Sequence, residues 1–149
     1  MARIMDAPLD TAESWLAARG EKLTELRREV LSLLLANHGP IKAYDLLAAL
    51  QKQRPGASPP TVYRTLDFLV AAGIVHRIDS LQSFVVCPTF HAPHQGVLLV
   101  CERCHGVEEL DSPLWMETMR RELAGSGFAM NQHELEIKGL CRNCQVVTV

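Results

Sequence analysis

Two pairs of cysteines, each pair separated by two residues, are the residues of this sequence whose spacing most directly suggests chemistry. Cys101 and Cys104 lie in LLVCERCHGVEELD, and forty residues after the first of them Cys141 and Cys144 repeat the spacing in GLCRNCQ. Such pairs can close disulfides, exchange electrons with other thiols, or hold a metal ion. These three kinds of chemistry require different compartments and different local structures.

The composition favours redox chemistry or metal binding over disulfides. A chain of 149 residues, 48% hydrophobic and 21% charged, predicts one or two small soluble domains. The N-terminal segment lacks the apolar core of a signal peptide, and no run is long enough to span a bilayer, so we expect a cytoplasmic protein with no membrane partner. Disulfides are uncommon in that reducing compartment, and five cysteines leave one unpaired. Metal binding or redox chemistry is therefore the expectation.

The sequence around each pair favours a metal. A thioredoxin-like pair sits once per domain where a strand enters a helix, whereas here two pairs are flanked by strand-like residues, so each resembles a knuckle at the turn of a hairpin. Two knuckles can supply four thiolates to one tetrahedral Zn²⁺. A helix in SPLWMETMRRELAG, with Ser112 as N-cap and Pro113 as its first residue, explains the long spacing between the pairs. Redox chemistry stays open as the alternative.

The first half of the chain predicts a different kind of unit. Amphipathic helices are expected in LTELRREVLSLLLANHG, in IKAYDLLAALQKQ and in PPTVYRTLDFLVAAG. Two short strands around a turn at Asp79 and Ser80 follow in GIVHRIDSLQSFVVC. Three helices followed by a hairpin is the order of a winged helix-turn-helix, although a core of this kind can also exist without any ligand.

Charge indicates where such a unit would contact DNA. The net charge of −2 gives no overall attraction to a polyanion, but the segment from Lys52 to Arg77 holds four basic residues and one acid. The first turns of a recognition helix reach base edges in the major groove. Candidate DNA contacts on the third helix and on the helix before it are Arg64, Tyr63, Thr61 and Tyr44.

The segment PPTVYRTLDFLVAAGIVHRIDS, followed by VLLVCERCHGVEEL and a second C-x-x-C, resembles the Fur family of bacterial metal-dependent repressors, and within it the zinc-sensing members. The resemblance extends from about Leu23 to Cys144. It implies an α+β protein with a winged helix-turn-helix DNA-binding domain (1–87), a hinge (88–95) and a small α/β dimerisation domain (96–149). It further implies that the four paired cysteines form a structural zinc site, and that a metal-loaded homodimer binds double-stranded operator DNA. No enzymatic activity and no small-molecule substrate are expected.

The same resemblance implies a second, regulatory zinc site made of His76, Cys87, His94 and Glu109. One thiolate, two imidazoles and one carboxylate suit tetrahedral Zn²⁺, and the thiolate disfavours Fe²⁺ and Mn²⁺. His91 is the main alternative to His94. We therefore expect two zinc ions per chain and a zinc-responsive repressor of zinc-uptake genes.

Other interpretations remain at this stage. His105 and His133 lie in regions from which some family members build a further metal site, but Gly96 and Val97 replace the acidic or histidine residues that often precede the first C-x-x-C in such proteins. An iron- or peroxide-sensing regulator of the same family is the nearest rival function. A thiol-exchange protein and a zinc knuckle that binds another protein are the more distant ones.

Overall fold

The computed structural model describes residues 9–37, 39–87, 96–111, 113–130 and 135–146. These residues form two compact units, one before residue 88 and one from residue 96 onwards. The predicted hinge, residues 88–95, lies outside the described residues. Within the described ranges, no helix combines the length and the apolar character needed to cross a membrane.

Four helices build most of the N-terminal unit: α1 (Leu9–Ala18), α2 (Glu25–Ala36), α3 (Ala43–Gln51) and α4 (Pro59–Ala71). The last three are the predicted amphipathic helices, whereas α1 was not predicted. The Thr24 side chain caps α2 by accepting a hydrogen bond from the backbone N–H of Arg27 at 3.3 Å. After α4 the chain turns at Gly73, whose φ of +79° is a conformation that glycine adopts without steric penalty.

One apolar stripe from each helix faces a shared core. Burial of these side chains is what stabilises short helices that would be marginal in isolation. The fully buried members of this core include Leu16, Val30, Leu31, Leu46, Leu50, Val62, Leu66, Leu69 and Ile74.

A three-stranded antiparallel sheet completes the N-terminal unit. Its strands are β1 (Ile41–Lys42), β2 (Val75–Ile78) and β3 (Ser83–Val86), in the spatial order β1-β3-β2. A 3₁₀ turn over Asp79–Leu81 joins β2 to β3, and the next residue, Gln82, has φ +49°. The predicted hairpin is confirmed, and with α3 and α4 it makes a winged helix-turn-helix.

The C-terminal unit is a second three-stranded sheet with two helices. Its elements are β4 (Gly96–Cys101), β5 (Val107–Asp111), α5 (Leu114–Gly125), β6 (Leu135–Gly139) and α6 (Arg142–Gln145). Strand β4 is central, antiparallel to β5 and parallel to β6. The chain can return to pair in parallel because α5 lies in the connection from β5 to β6.

Two local predictions in this unit are wrong. Helix α5 begins at Leu114, because Pro113 has extended backbone angles (φ −63°, ψ 147°) and acts as the N-cap; the predicted cap, Ser112, lies outside the described residues. The second cysteine pair is not at a hairpin turn but at the start of α6. There the N–H groups of Cys144 and Gln145 both donate to the Cys141 carbonyl at 3.0 Å, closing a helical turn.

Candidate metal centres and nucleic-acid interface

The four paired cysteines converge in the C-terminal unit. The Sγ atoms of Cys101, Cys104, Cys141 and Cys144 all lie within 4.8 Å of one another, and none of the four forms a disulfide. Strands β4 and β6 run in parallel and pair up to Cys101 and Gly139, so each knuckle follows the end of one of two neighbouring strands. Parallel pairing is therefore what unites cysteines that are forty residues apart.

Their spacing fits a zinc ion. Four sulfurs bound tetrahedrally at about 2.3 Å from Zn²⁺ are roughly 3.8 Å from each other. The Sγ atoms of Cys104 and Cys141 are 3.8 Å apart. The four sulfur donors and the distance between them suit a tetrahedral zinc ion.

Backbone N–H groups point at these sulfurs. Cys141 N–H donates to Sγ of Cys101, and Gly106 N–H donates to Sγ of Cys104, both at 3.4 Å. The pKa of Cys101 is lowered to about 6, first by the backbone N–H of Cys104 and then by that of Cys141. The pKa of Cys144 is raised to about 12, first by hydrogen bonding with the Cys141 side chain and then by burial. The Cys101 thiolate therefore forms readily, and a bound cation would favour ionisation of the Cys104 and Cys144 thiols, whose pKa values are raised.

An arginine joins the two knuckles independently of the sulfurs. Nη1 of Arg103, which lies between Cys101 and Cys104, donates to the backbone carbonyl of Cys144 at 2.9 Å. The sequence did not single out this residue, because an arginine between two ligands has no spacing of its own to mark it. The contact fixes α6 against the first knuckle and places a positive charge beside four sulfurs that are negative when they bind a metal.

Two of the predicted regulatory ligands are buried together in the N-terminal unit. His76 lies on β2 and is 3% exposed, and Cys87 directly follows β3 and is fully buried. The backbone N–H of Cys87 donates to the Ile74 carbonyl at 2.7 Å, which continues the pairing of the hairpin by one residue. A ring nitrogen of His76 lies within 4.8 Å of Sγ of Cys87. A buried imidazole beside a buried thiol is a pair of donors that zinc binds well.

Of the other residues considered as metal ligands, the structure describes Glu109 and His105. Glu109 is on β5 of the C-terminal unit, and its Oε1 atom is buried from solvent. His94, its alternative His91, and His133 lie outside the described residues. His105 is exposed and has φ +60°, a conformation uncommon for residues other than glycine.

The predicted DNA contacts lie on α3 and α4, the two helices of the helix-turn-helix. Tyr44 on α3 is 79% exposed and Tyr63 on α4 is 50% exposed, and both line a shallow cleft between these helices. Arg64 is exposed one residue further along α4. Thr61 is half-buried, and its hydroxyl lies 3.0 Å from that of Ser58 at the start of the helix. The buried stripe of α4 thus leaves aromatic and cationic side chains on its outer face, which suits phosphate and base contacts.

The surplus of positive charge predicted from residues 52 to 77 is smaller than the sequence suggested. Arg54 forms an ion pair with Glu29 of α2, an acid outside the counted segment. Arg77 pairs with Asp67 at 2.6 Å and lies over the ring of Phe84. These ion pairs neutralise two of the four basic residues, but Asp67 is the acid already counted in the segment, so only Glu29 lowers the surplus, from three charges to two. Arg64 is exposed, and its positive charge is available to contact DNA.

Comparison with known proteins agrees with this architecture. The family model described as Ferric uptake regulator family matches residues 18–138. The chain is 42% identical to the zinc uptake regulation protein of Escherichia coli K12 over 137 residues, which are 91% of this chain and 80% of that protein.

Two solved structures are similar along nearly the whole chain. A zinc uptake regulator complexed with zinc and DNA has a TM-score of 0.85 and 41% identity, with 93% of each chain covered. Holo XcZur has a TM-score of 0.81 and 37% identity, covering 93% of this chain and 96% of its own. The family match, the identity and the shared fold agree with one another, and the chain belongs to the ferric uptake regulator family.

Proposed function

We propose that this protein is a cytoplasmic, zinc-responsive transcriptional repressor whose zinc-loaded homodimer binds the operators of zinc-uptake genes. The observation that carries the proposal is the buried pair of His76 and Cys87 in the winged helix-turn-helix unit. The likeness to a regulator bound to zinc and DNA supports it. In this proposal the protein has no catalytic role.

The first zinc ion is assigned to the four-cysteine cluster, with a structural role. Four thiolates bind zinc in a closed site, and in zinc-finger peptides such binding contributes about 10–16 kcal/mol that is coupled to folding. The 3.8 Å separation of Cys104 and Cys141 supports this assignment. We expect this ion to stay bound whenever the C-terminal unit is folded.

The second zinc ion is assigned to His76, Cys87, His94 and Glu109, with a regulatory role. The first two residues belong to the DNA-binding unit and Glu109 belongs to the other unit. A zinc ion that is bound by residues of both units would stabilise the conformation in which all of those residues can coordinate it. If zinc binds that conformation a hundredfold more tightly than the alternative, it stabilises it by about 2.7 kcal/mol. This is enough to change operator occupancy when the two conformations are close in free energy.

The donor chemistry separates zinc sensing from the rival functions within the family. Sensors of iron or peroxide need ligand sets dominated by nitrogen and oxygen, whereas Cys87 supplies a thiolate that favours Zn²⁺. A thiol-exchange protein would use one C-x-x-C pair with an accessible thiolate, whereas the Sγ atoms of both pairs here lie within 4.8 Å of one another, an arrangement that suits one shared metal ion. We therefore retain the iron- or peroxide-sensing function only as the second candidate.

DNA binding is assigned to the outer face of α4 in each protomer of a dimer. Two recognition helices that enter consecutive major grooves must be spaced by about one helical turn of DNA, or roughly 34 Å, or a multiple of it. Zinc would select the arrangement with that spacing. Arg64 is the residue most suited to a bidentate contact with guanine.

The test compares two cysteine substitutions. Cys87→Ser should leave a folded dimer with about one zinc ion per chain that no longer binds its operator more tightly as zinc is added. Cys101→Ser should give a poorly folded chain or one that fails to dimerise, because the structural site is coupled to folding. Zinc content, sedimentation and operator affinity at buffered free zinc are measured for both variants. The opposite pattern, with Cys87→Ser unfolded and Cys101→Ser still responsive, would show that the two roles are exchanged.

A further inference from the structure

Gly96 is the first residue of β4, and its backbone conformation does not require glycine. Its φ is not in the left-handed region that favours glycine. It is paired with Asp111 as the end pair of the antiparallel ladder between β4 and β5. An ordinary side chain would therefore fit the backbone, and an isolated glycine in a strand weakens it unless something approaches closely.

The group that approaches is the Glu109 carboxylate. A Cβ atom added at Gly96 would lie 2.6 Å from Oε1 of Glu109, and 3.3 Å from both its Cδ and its Cγ. These are the three heavy atoms nearest to that position, so this carboxylate is the main obstacle to a side chain there. Glu109 pairs directly with Leu98, which makes Gly96 its diagonal neighbour on the same face of the sheet.

We propose that Gly96 is a positioning residue for Glu109, because the space left by its missing side chain is where the carboxylate lies when it serves as a regulatory ligand. The inference rests on the proposed function, in which Glu109 binds the regulatory zinc ion. Gly96 itself contributes no ligand atom. Its effect is to leave open a pocket that any larger residue would close.

The geometry sets the size of the effect. Nonbonded atoms need about 3.5 Å or more, so Oε1 has to move by roughly 1 Å to accommodate an alanine methyl group. The end of a glutamate side chain can make such a move by rotating, so the strand and the fold tolerate the change. A ligand moved by this distance loses its coordination geometry, and perturbing the residues that orient metal ligands typically costs about 10- to 100-fold in metal affinity.

The sheet contains a matched control. Gly139, on β6, also has a φ outside the left-handed region, but a Cβ added there meets no atom within 4 Å. Gly139→Ala thus makes the same chemical change in a strand of the same sheet without approaching a predicted regulatory ligand. Any general loss of strand stability would appear in both variants.

The experiment is a double-mutant cycle on the full-length protein, with zinc as the ligand and a chromophoric chelator as the competitor. The variants are Gly96→Ala, Gly139→Ala, Glu109→Ala and the Gly96→Ala/Glu109→Ala double variant. Zinc content and affinity are measured without DNA, alongside thermal unfolding of each variant. We expect Gly96→Ala to remain folded with about one tightly held zinc ion, and to bind the second zinc ion at least about tenfold more weakly than Gly139→Ala does.

The double variant then tests the cause. If Gly96→Ala acts by displacing the carboxylate, it has no further effect once Glu109 is alanine, so the two changes are not additive. An equal loss in both backgrounds overturns the inference, because it would mean that Gly96 acts through the backbone of the adjoining segment. Unchanged affinity in Gly96→Ala, together with a loss in Glu109→Ala, overturns the inference but leaves the proposed function standing. Unchanged affinity in Glu109→Ala removes Glu109 from the regulatory site, and the inference fails with it.

Discussion

Replacing Arg103 by methionine should loosen the four-cysteine site without removing any of its ligands. The guanidinium donates one hydrogen bond, 2.9 Å long, to the carbonyl of Cys144, and methionine keeps much of the side-chain volume but cannot donate. A hydrogen bond from a charged donor contributes about 1.5–3 kcal/mol when it is buried. The Arg103 side chain is exposed, so solvent screening lowers the expected value to about 1–2 kcal/mol, or roughly a 5- to 30-fold change in an equilibrium constant.

Zinc release to a chelator in excess measures this change directly. Arg103→Met should release the structural zinc ion several-fold faster than the unmodified protein, whereas Arg103→Lys, which keeps the charge, should lie between the two. Arg142→Met is the matched control, because Arg142 is an exposed arginine next to Cys141. Equal rates for Arg103→Met and Arg142→Met would refute the reasoning, since the effect would then come from charge near the sulfurs and not from the bond to Cys144.

Three further predictions concern the DNA contact, the core and the knuckle. Arg64→Ala should weaken operator binding by about 1–3 kcal/mol per half-site and relax base preference there; an unchanged operator titration would remove Arg64 from the readout. Leu66→Ala should lower the free energy of unfolding by about 2–5 kcal/mol in denaturant titrations, because Leu66 is fully buried between the helices; a loss below about 1 kcal/mol would mean that the core closes the cavity. His105→Gly should leave the zinc-bound protein as stable as before or up to about 1 kcal/mol more stable, because it relieves the φ of +60° at a smaller entropic cost. A clear fall in its melting temperature would indicate that the His105 side chain has a stabilising contact.

The local parts of the fold could be predicted from the sequence because they rest on short-range patterns. The stripe of Val62, Leu66 and Leu69 and the prolines at the start of α4 define the recognition helix without any tertiary information. Helix α1 was not predicted, although Ala12 and Leu16 are both buried in it. These two are its only buried residues, too few to make a periodic apolar pattern, so the burial of α1 depends on packing against other elements.

What sequence reasoning could not supply was partners from distant segments. The pairing of Arg54 with Glu29 connects residues twenty-five positions apart and changes the charge of the predicted DNA-binding face. The role of Arg103 depends on a carbonyl forty-one residues away. The repeated C-x-x-C spacing predicted that the four cysteines would meet, and their Sγ atoms do lie within 4.8 Å of one another, but the parallel pairing of β4 with β6 that unites them has no local sequence signal.

The parallel pairing of β4 with β6 also has a consequence for the order of folding. The hairpin of β4 and β5 closes over a loop of a few residues, so the first two thiols are brought together on the microsecond scale of hairpin formation. The other two arrive only after the chain has closed a loop of about forty residues and formed parallel contacts, which is slow because the entropy of closure is lost before the contacts form. Until β6 docks, only two of the four thiols assigned to the structural zinc ion are together, and two thiols would hold the ion less tightly than four. If the assignment is right, docking of β6 is the step that completes the site and retains the metal.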